Sequence, residues 1–238
     1  MGFFSKIKQL FQPAKIDCFL PDATSELEIE IVVKLKEDLL ESENKNETIS
    51  GWWDRAHDAN HQFWLSGSPG LEHWAYMEVL PRLSPGAKVL NIGVGLGYCT
   101  RALHERGCQV SALDISPLAL ERVKDIATPY LPGQLEAMPQ NYYEVVISHL
   151  VAQHMNDADL LHQFKGVFKA MRADGVFAIQ FVSSNEEDFD YAAHQSSSSQ
   201  KTGAVFRTRE QMAFLVNEAG GEVVKLWPGP VFPQYKSC

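Results

Sequence analysis

A strand-like run, Lys88-Val89-Leu90-Asn91-Ile92, leads directly into Gly93-Val94-Gly95-Leu96-Gly97, and a helix-like stretch opens at Tyr98. This junction constrains the chain more than any other feature. Glycines let the backbone turn sharply and approach a ligand closely, and the helix start offers N–H groups with no partner of their own. From residue 87 onward, short apolar runs alternate with helical patterns, the signature of a parallel sheet with crossover helices. Strands are predicted at 88–92, 109–113, 144–148 and 176–182, with a weaker one ahead of Gln134. Helices are predicted at 98–106, 117–125, 159–171 and 208–219, and residues 222–235 suit two final strands joined through Trp227-Pro228-Gly229-Pro230. The expected architecture is α/β: a Rossmann-like, doubly wound sheet of seven strands, mostly parallel with the last antiparallel. It would occupy residues 81–238.

The first 80 residues read differently. An acid-rich segment with a helical pattern through Leu27, Ile31, Leu35 and Leu39 ends in a polar linker at 41–47. An aromatic-rich stretch, 51–77, follows with Trp52, Trp53, Phe63, Trp64, Trp74 and Tyr76. Nothing in it alternates like a strand, so it is read as helical and as a cap over the α/β domain. The N-terminus places Phe4, Ile7, Leu10 and Phe11 on one helical face, suited to packing on the domain or on a second copy in a homo-oligomer. Lys6 stands where a myristoylation pattern requires Ser or Thr, and no targeting signal is evident.

Composition narrows the partners. A formal charge of -9 disfavours a broad nucleic-acid surface, which needs clustered Lys and Arg. With 45% apolar residues, no apolar run approaches the roughly 18 residues a membrane span needs. Cys18, Cys99, Cys108 and Cys238 form no C-x-x-C pair, which fits reduced cytoplasmic thiols. His57, His61 and His73 lack a carboxylate cluster to fix a geometry, so no metal is expected.

Asp114 closes the next predicted strand, 21 residues after Gly93, where a carboxylate can accept from ribose hydroxyls. The glycine spacing is G-x-G-x-G. A dinucleotide fingerprint, G-x-G-x-x-G, would need glycine at Tyr98 if counted from Gly93.

The observed spacing resembles motif I of the class I S-adenosylmethionine-dependent methyltransferases. The resemblance continues through Ala112-Leu113-Asp114-Ile115-Ser116-Pro117, Gly133-Gln134-Leu135-Glu136-Ala137-Met138-Pro139, the strand Tyr143 to Ser148, and Met171-Arg172-Ala173-Asp174-Gly175-Val176. Phe206-Arg207-Thr208-Arg209-Glu210 and the stretch 218–224 resemble the closing helix and strand. It implies S-adenosylmethionine as cofactor, held by Asn91, Gly93, Val94, Gly95, Gly97, Asp114, Ile115, Gln134, Leu135 and Ser148. Asp114 would take the ribose, Ile115 would pack on adenine, Gln134 would face the adenine amino group, and the Leu135 N–H a ring nitrogen. Two positions depart from the family pattern. Asn91 replaces the usual acid near the methionine end, and Gln134 replaces the usual Asp; each keeps an acceptor oxygen.

Methyl transfer from a sulfonium is an in-line displacement, so positioning the acceptor is much of the catalysis. A hydroxyl acceptor also loses a proton, a task suited to histidine. Ser148-His149-Leu150-Val151-Ala152-Gln153-His154-Met155 follows the fourth main strand, and its Gln-His-Met turn resembles that of many small-molecule methyltransferases. His154 is the first catalytic candidate and His149 the second. Trp53-Asp54-Arg55-Ala56 resembles an N-terminal segment of some bacterial members, making Trp53 and Arg55 candidates for contact with the acceptor or cofactor. The expected reaction is methylation of a small molecule at oxygen, nitrogen or carbon. The alternatives are a methyltransferase-like binding protein without turnover, or a nucleotide-dependent oxidoreductase. The serine-rich stretch 185–201 is expected to act as a lid.

Overall fold

The computed structural model describes residues 48–58, 79–149, 151–181 and 205–226, all of which fall within one compact unit. Helix α1 (Ile49–Asp58) comes first, followed by a short 3-10 turn at Leu80–Arg82. Strand β1 (Lys88–Ile92), helix α2 (Tyr98–Glu105), β2 (Gln109–Leu113), α3 (Pro117–Glu121) and β3 (Ala127–Tyr130) then alternate. Beyond a 3-10 segment at Pro132–Ala137 come β4 (Tyr143–Ser148), a 3-10 turn at Ala152–His154, α4 (Asp157–Ala170), β5 (Met171–Ile179) and α5 (Arg209–Glu218).

Five parallel strands in the order β3-β2-β1-β4-β5 form the sheet among the described residues. Alternate side chains of each strand point to opposite faces. Val89, Val145 and Ile147 therefore pack with Leu103, Leu120 and Val123 on one side. Leu90, Ile92 and Val146 pack with Leu135, Val167 and Ala170 on the other. Both faces are covered, which is why the strands read as near-continuous apolar runs. Each such buried aliphatic side chain contributes about 1.5–3 kcal/mol.

The register places the site. Ile92 lies opposite both Leu113 and Ser148, so β1, β2 and β4 end level with one another. Gly93, Asp114 and His149, each one residue further on, emerge together at the carboxyl edge of the sheet. Ligands of open α/β sheets bind at this edge. On the α4 side, Gly166 lets the 3-10 segment lie close, because a Cβ built there would stand 2.9 Å from the Cβ of Leu135.

Several sequence expectations shift. Helix α3 stops at Glu121 and the chain continues as turns into β3. Strand β5 begins at Met171, earlier than predicted, since Met171 pairs with Tyr143 across an irregularity before Val176 meets Val145. Residues 222–226, expected to open a sixth strand, have no strand pairing, and 227–235 lie outside the described residues. The polar linker, the lid stretch 185–201 and most of the aromatic-rich stretch also lie outside them. No helix among the described residues is long and apolar enough to cross a membrane.

Candidate active site

The turn after β1 adopts left-handed backbone at all three glycines, with φ of 79° at Gly93, 55° at Gly95 and 85° at Gly97. That conformation strains any residue bearing a Cβ. Gly97 then caps α2. Asp114 fixes the turn from the side. Its Oδ2 accepts from the N–H groups of Val94 at 2.6 Å and Gly95 at 3.2 Å, and its Oδ1 accepts from Ser116 N–H at 2.9 Å. These bonds use three of the roughly four lone-pair directions a carboxylate offers, which leaves one for a ribose hydroxyl. Burial raises the Asp114 pKa above the ordinary carboxylate value. The Ser116 N–H, nearby His57 and the two turn N–H groups oppose that rise.

Asn91, almost fully buried, donates through Nδ2 to Thr100 Oγ1 at 2.9 Å. The amide thus ties β1 to α2, a bond a carboxylate could make only with the hydroxyl donating instead. Gln134 Oε1 accepts from Leu131 N–H at 2.8 Å, so the oxygen expected at the adenine amino group caps its own 3-10 segment. Leu135 is buried and Ser148 is sealed at the end of β4. Ile115, in contrast, stays 37% exposed directly after the buried Asp114.

Helix α1 lies across this edge. Asp54 accepts from Ser116 Oγ and from Leu118 N–H, capping α3 from outside. Ser50 Oγ donates to the Ile115 carbonyl at 2.8 Å, and Arg122 donates to the His57 carbonyl at 2.8 Å. His57 is buried, and its pKa falls below 6.5. Burial is the larger cause and Arg122 adds to it, while Asp114 and Asp54 pull the other way. Arg55 is half-buried on the same helix.

The loop after β4 meets the other side of the turn. A Cβ at Gly93 would fall 2.1 Å from Val151 Cγ2, and the His149 carbonyl lies 3.9 Å from the same point. The 3-10 turn then presents the His154 ring edge-on to Trp53 at a centroid distance of 4.8 Å, and Trp53 also contacts His57 at 5.6 Å. The structure therefore brings together the glycine turn, Asp114, Ile115, His149, His154 and Trp53.

A family of methyltransferase domains matches residues 90–179, which span β1 through β5. The match gives this part of the chain a methyltransferase domain and supports the class I S-adenosylmethionine-dependent type. Its methyltransferase domain is 34% identical over 102 residues to an uncharacterised methyltransferase of Synechocystis sp., covering 41% of this chain and 48% of that protein. It is 38% identical over 77 residues to a malonyl-[acyl-carrier protein] O-methyltransferase of Serratia marcescens, covering 31% of this chain and 30% of that one. The matched part thus spans less than half the length of these relatives. The mitomycin 7-O-methyltransferase MmcR shares the fold, with a TM-score of 0.58 at 17% identity over 84% of this chain and 64% of that structure.

The cofactor of this methyltransferase class is S-adenosylmethionine, and the residues present fit it. A turn with three left-handed glycines, a buried carboxylate and an apolar residue left open beside it supply places for the methionine end, the ribose and the adenine. The contacts of three residues escaped sequence reasoning. Asp54 and His57 act across more than 55 positions, which no local pattern reveals. Arg207 left one trace: a cation beside a helix N-terminus is electrostatically disfavoured, so its presence there asks for another purpose.

Proposed function

We propose that the protein transfers the methyl group of S-adenosylmethionine to a small-molecule acceptor at oxygen, nitrogen or carbon. The observation carrying this reading is the Trp53–His154 ring contact at 4.8 Å. It joins the loop after β4 to α1 beside the glycine turn, at the edge where the sulfonium methyl would lie. Asp114, Ile115 and the Leu135 N–H hold the nucleoside; Gly93, Val94, Gly95 and Gly97 line the methionine end, with Asn91, Gln134 and Ser148 supporting these segments from behind. Trp53 and Arg55 bound the acceptor space. His154 orients the acceptor and, for a hydroxyl, takes its proton, with His149 at the start of the same loop as the second candidate.

S-adenosylmethionine supplies an electrophilic methyl on a positively charged sulfur. The chain's own contribution is to exclude water and to align the acceptor with the breaking bond. The Serratia relative is named for methylating a malonyl group on a carrier protein, so the acceptor screen includes a malonyl carrier protein alongside metabolites. Calorimetry should show S-adenosylmethionine binding without NAD binding, and mass spectrometry of a metabolite pool should reveal a product heavier by one methyl group. With that acceptor, His154→Ala should lower turnover by about 10²–10⁴-fold at nearly constant cofactor affinity. Unchanged turnover in that variant removes His154 from the chemistry.

A further inference from the structure

Arg207 precedes the N-cap of α5, and its side chain is entirely buried. Its Nε donates to Asp157 Oδ1 at 2.9 Å, one terminal nitrogen donates to the Ala152 carbonyl at 2.8 Å, and the other to the Met155 carbonyl at 2.6 Å. Those two carbonyls bracket the 3-10 turn that carries His154. From the same strap, Val205 N–H donates to the Gln153 carbonyl at 2.6 Å. Within the turn, His154 N–H donates to the Val151 carbonyl at 2.8 Å. The turn is therefore gripped on both flanks, and its ring-bearing residue projects toward Trp53.

A buried cation is a costly way to hold a loop, because apolar packing of similar volume often stabilises as well or better. The planar guanidinium offers something apolar packing does not, namely donors fixed in three directions at once. We propose that Arg207 is a positioning residue for His154, setting the height and tilt of the post-β4 turn against Trp53 so that the imidazole meets the acceptor. This rests on the reading of His154 given above.

Arg207→Lys keeps the charge and loses the fork. The test follows the His154 ring resonances by NMR, assigned by their disappearance in His154→Gln, together with thermal unfolding and S-adenosylhomocysteine calorimetry. In Arg207→Lys the His154 ring signals should lose the displacement caused by the Trp53 ring current, while S-adenosylhomocysteine affinity stays at the wild-type value. Once an acceptor is in hand, kcat should fall about 10²-fold, the penalty of a misplacement near 1 Å. The Arg207→Lys/His154→Ala double variant should then be no slower than His154→Ala alone. His154 signals unmoved by Arg207→Lys overturn the proposal. If that variant does not fold, Asp157→Asn, which leaves both carbonyl bonds in place, should move the same signals by less and in the same direction; no movement there overturns it equally. A displaced ring together with full turnover in His154→Ala would leave the positioning role standing and remove the catalytic one.

Discussion

Asn91 stands where the methyltransferase class usually places an acid, and its amide is spent on Thr100 Oγ1 inside the strand–helix interface. The side chain that would steer the methionine end thus secures the fold, and Asp114 takes on a second task by pinning the glycine turn through Val94 and Gly95. Gly93 is the most demanding position of that turn. It combines φ of 79° with a Cβ site 2.1 Å from Val151 Cγ2, so even a methyl group strains the backbone and pushes the loop after β4 away. Gly93→Ala should destabilise the protein by about 1–3 kcal/mol, the usual cost of overpacking, and should weaken S-adenosylmethionine binding. Thermal unfolding and calorimetry measure the two effects separately. A variant with wild-type values in both would show that Val151 yields freely and that the turn makes no close approach to the cofactor.

At the scale of elements, α1 is fastened to the domain chiefly through Asp54, whose carboxylate serves Ser116 Oγ and Leu118 N–H at the head of α3. Asp54→Ala should cost about 0.5–2 kcal/mol, as for loss of a helix cap, and should loosen α1 enough to disturb the Trp53–His154 contact. Hydrogen exchange should accelerate in 49–58 and in the 152–155 turn; faster exchange in 49–58 alone would mean that the turn does not depend on α1. The parallel core was legible in sequence because strand, turn and helix alternate locally, and the ends of β1, β2 and β4 were placed almost to the residue. The early start of β5 was not, since the Met171–Tyr143 pairing lies beyond an irregularity that only the partner strand defines. The same holds within the site. Gly93, Asp114 and the Gln-His-Met turn announce themselves by spacing, whereas the bonds of Asp54 and Arg207 link positions 50 or more apart.

For the molecule as a whole, two buried titratable groups at the sheet edge give opposite pH dependences. His57 has a lowered pKa, so the stability it contributes is present above 6.5 and is lost as pH falls through its depressed value. Asp114 has a raised pKa, so its contribution is fully present below 3.8 and is lost as pH rises through the elevated value. Comparing the wild type with His57→Gln isolates the first effect. The difference in Tm between them should be constant above pH 6.5 and should shift against the wild type below it. A constant difference throughout would mean that His57 titrates alike in the folded and unfolded chain. Gly166 bears on any effort to make the protein more heat-resistant. Replacing a helix-interior glycine by alanine ordinarily adds about 0.5–1 kcal/mol, which makes α4 an obvious place to begin. Here the new methyl would stand 2.9 Å from Leu135 Cβ, and the overpacking, at about 1–3 kcal/mol, outweighs the helical gain. Gly166→Ala should therefore lower Tm and raise the Kd for S-adenosylmethionine together, so a thermostability screen would reject the substitution that helix propensity recommends first.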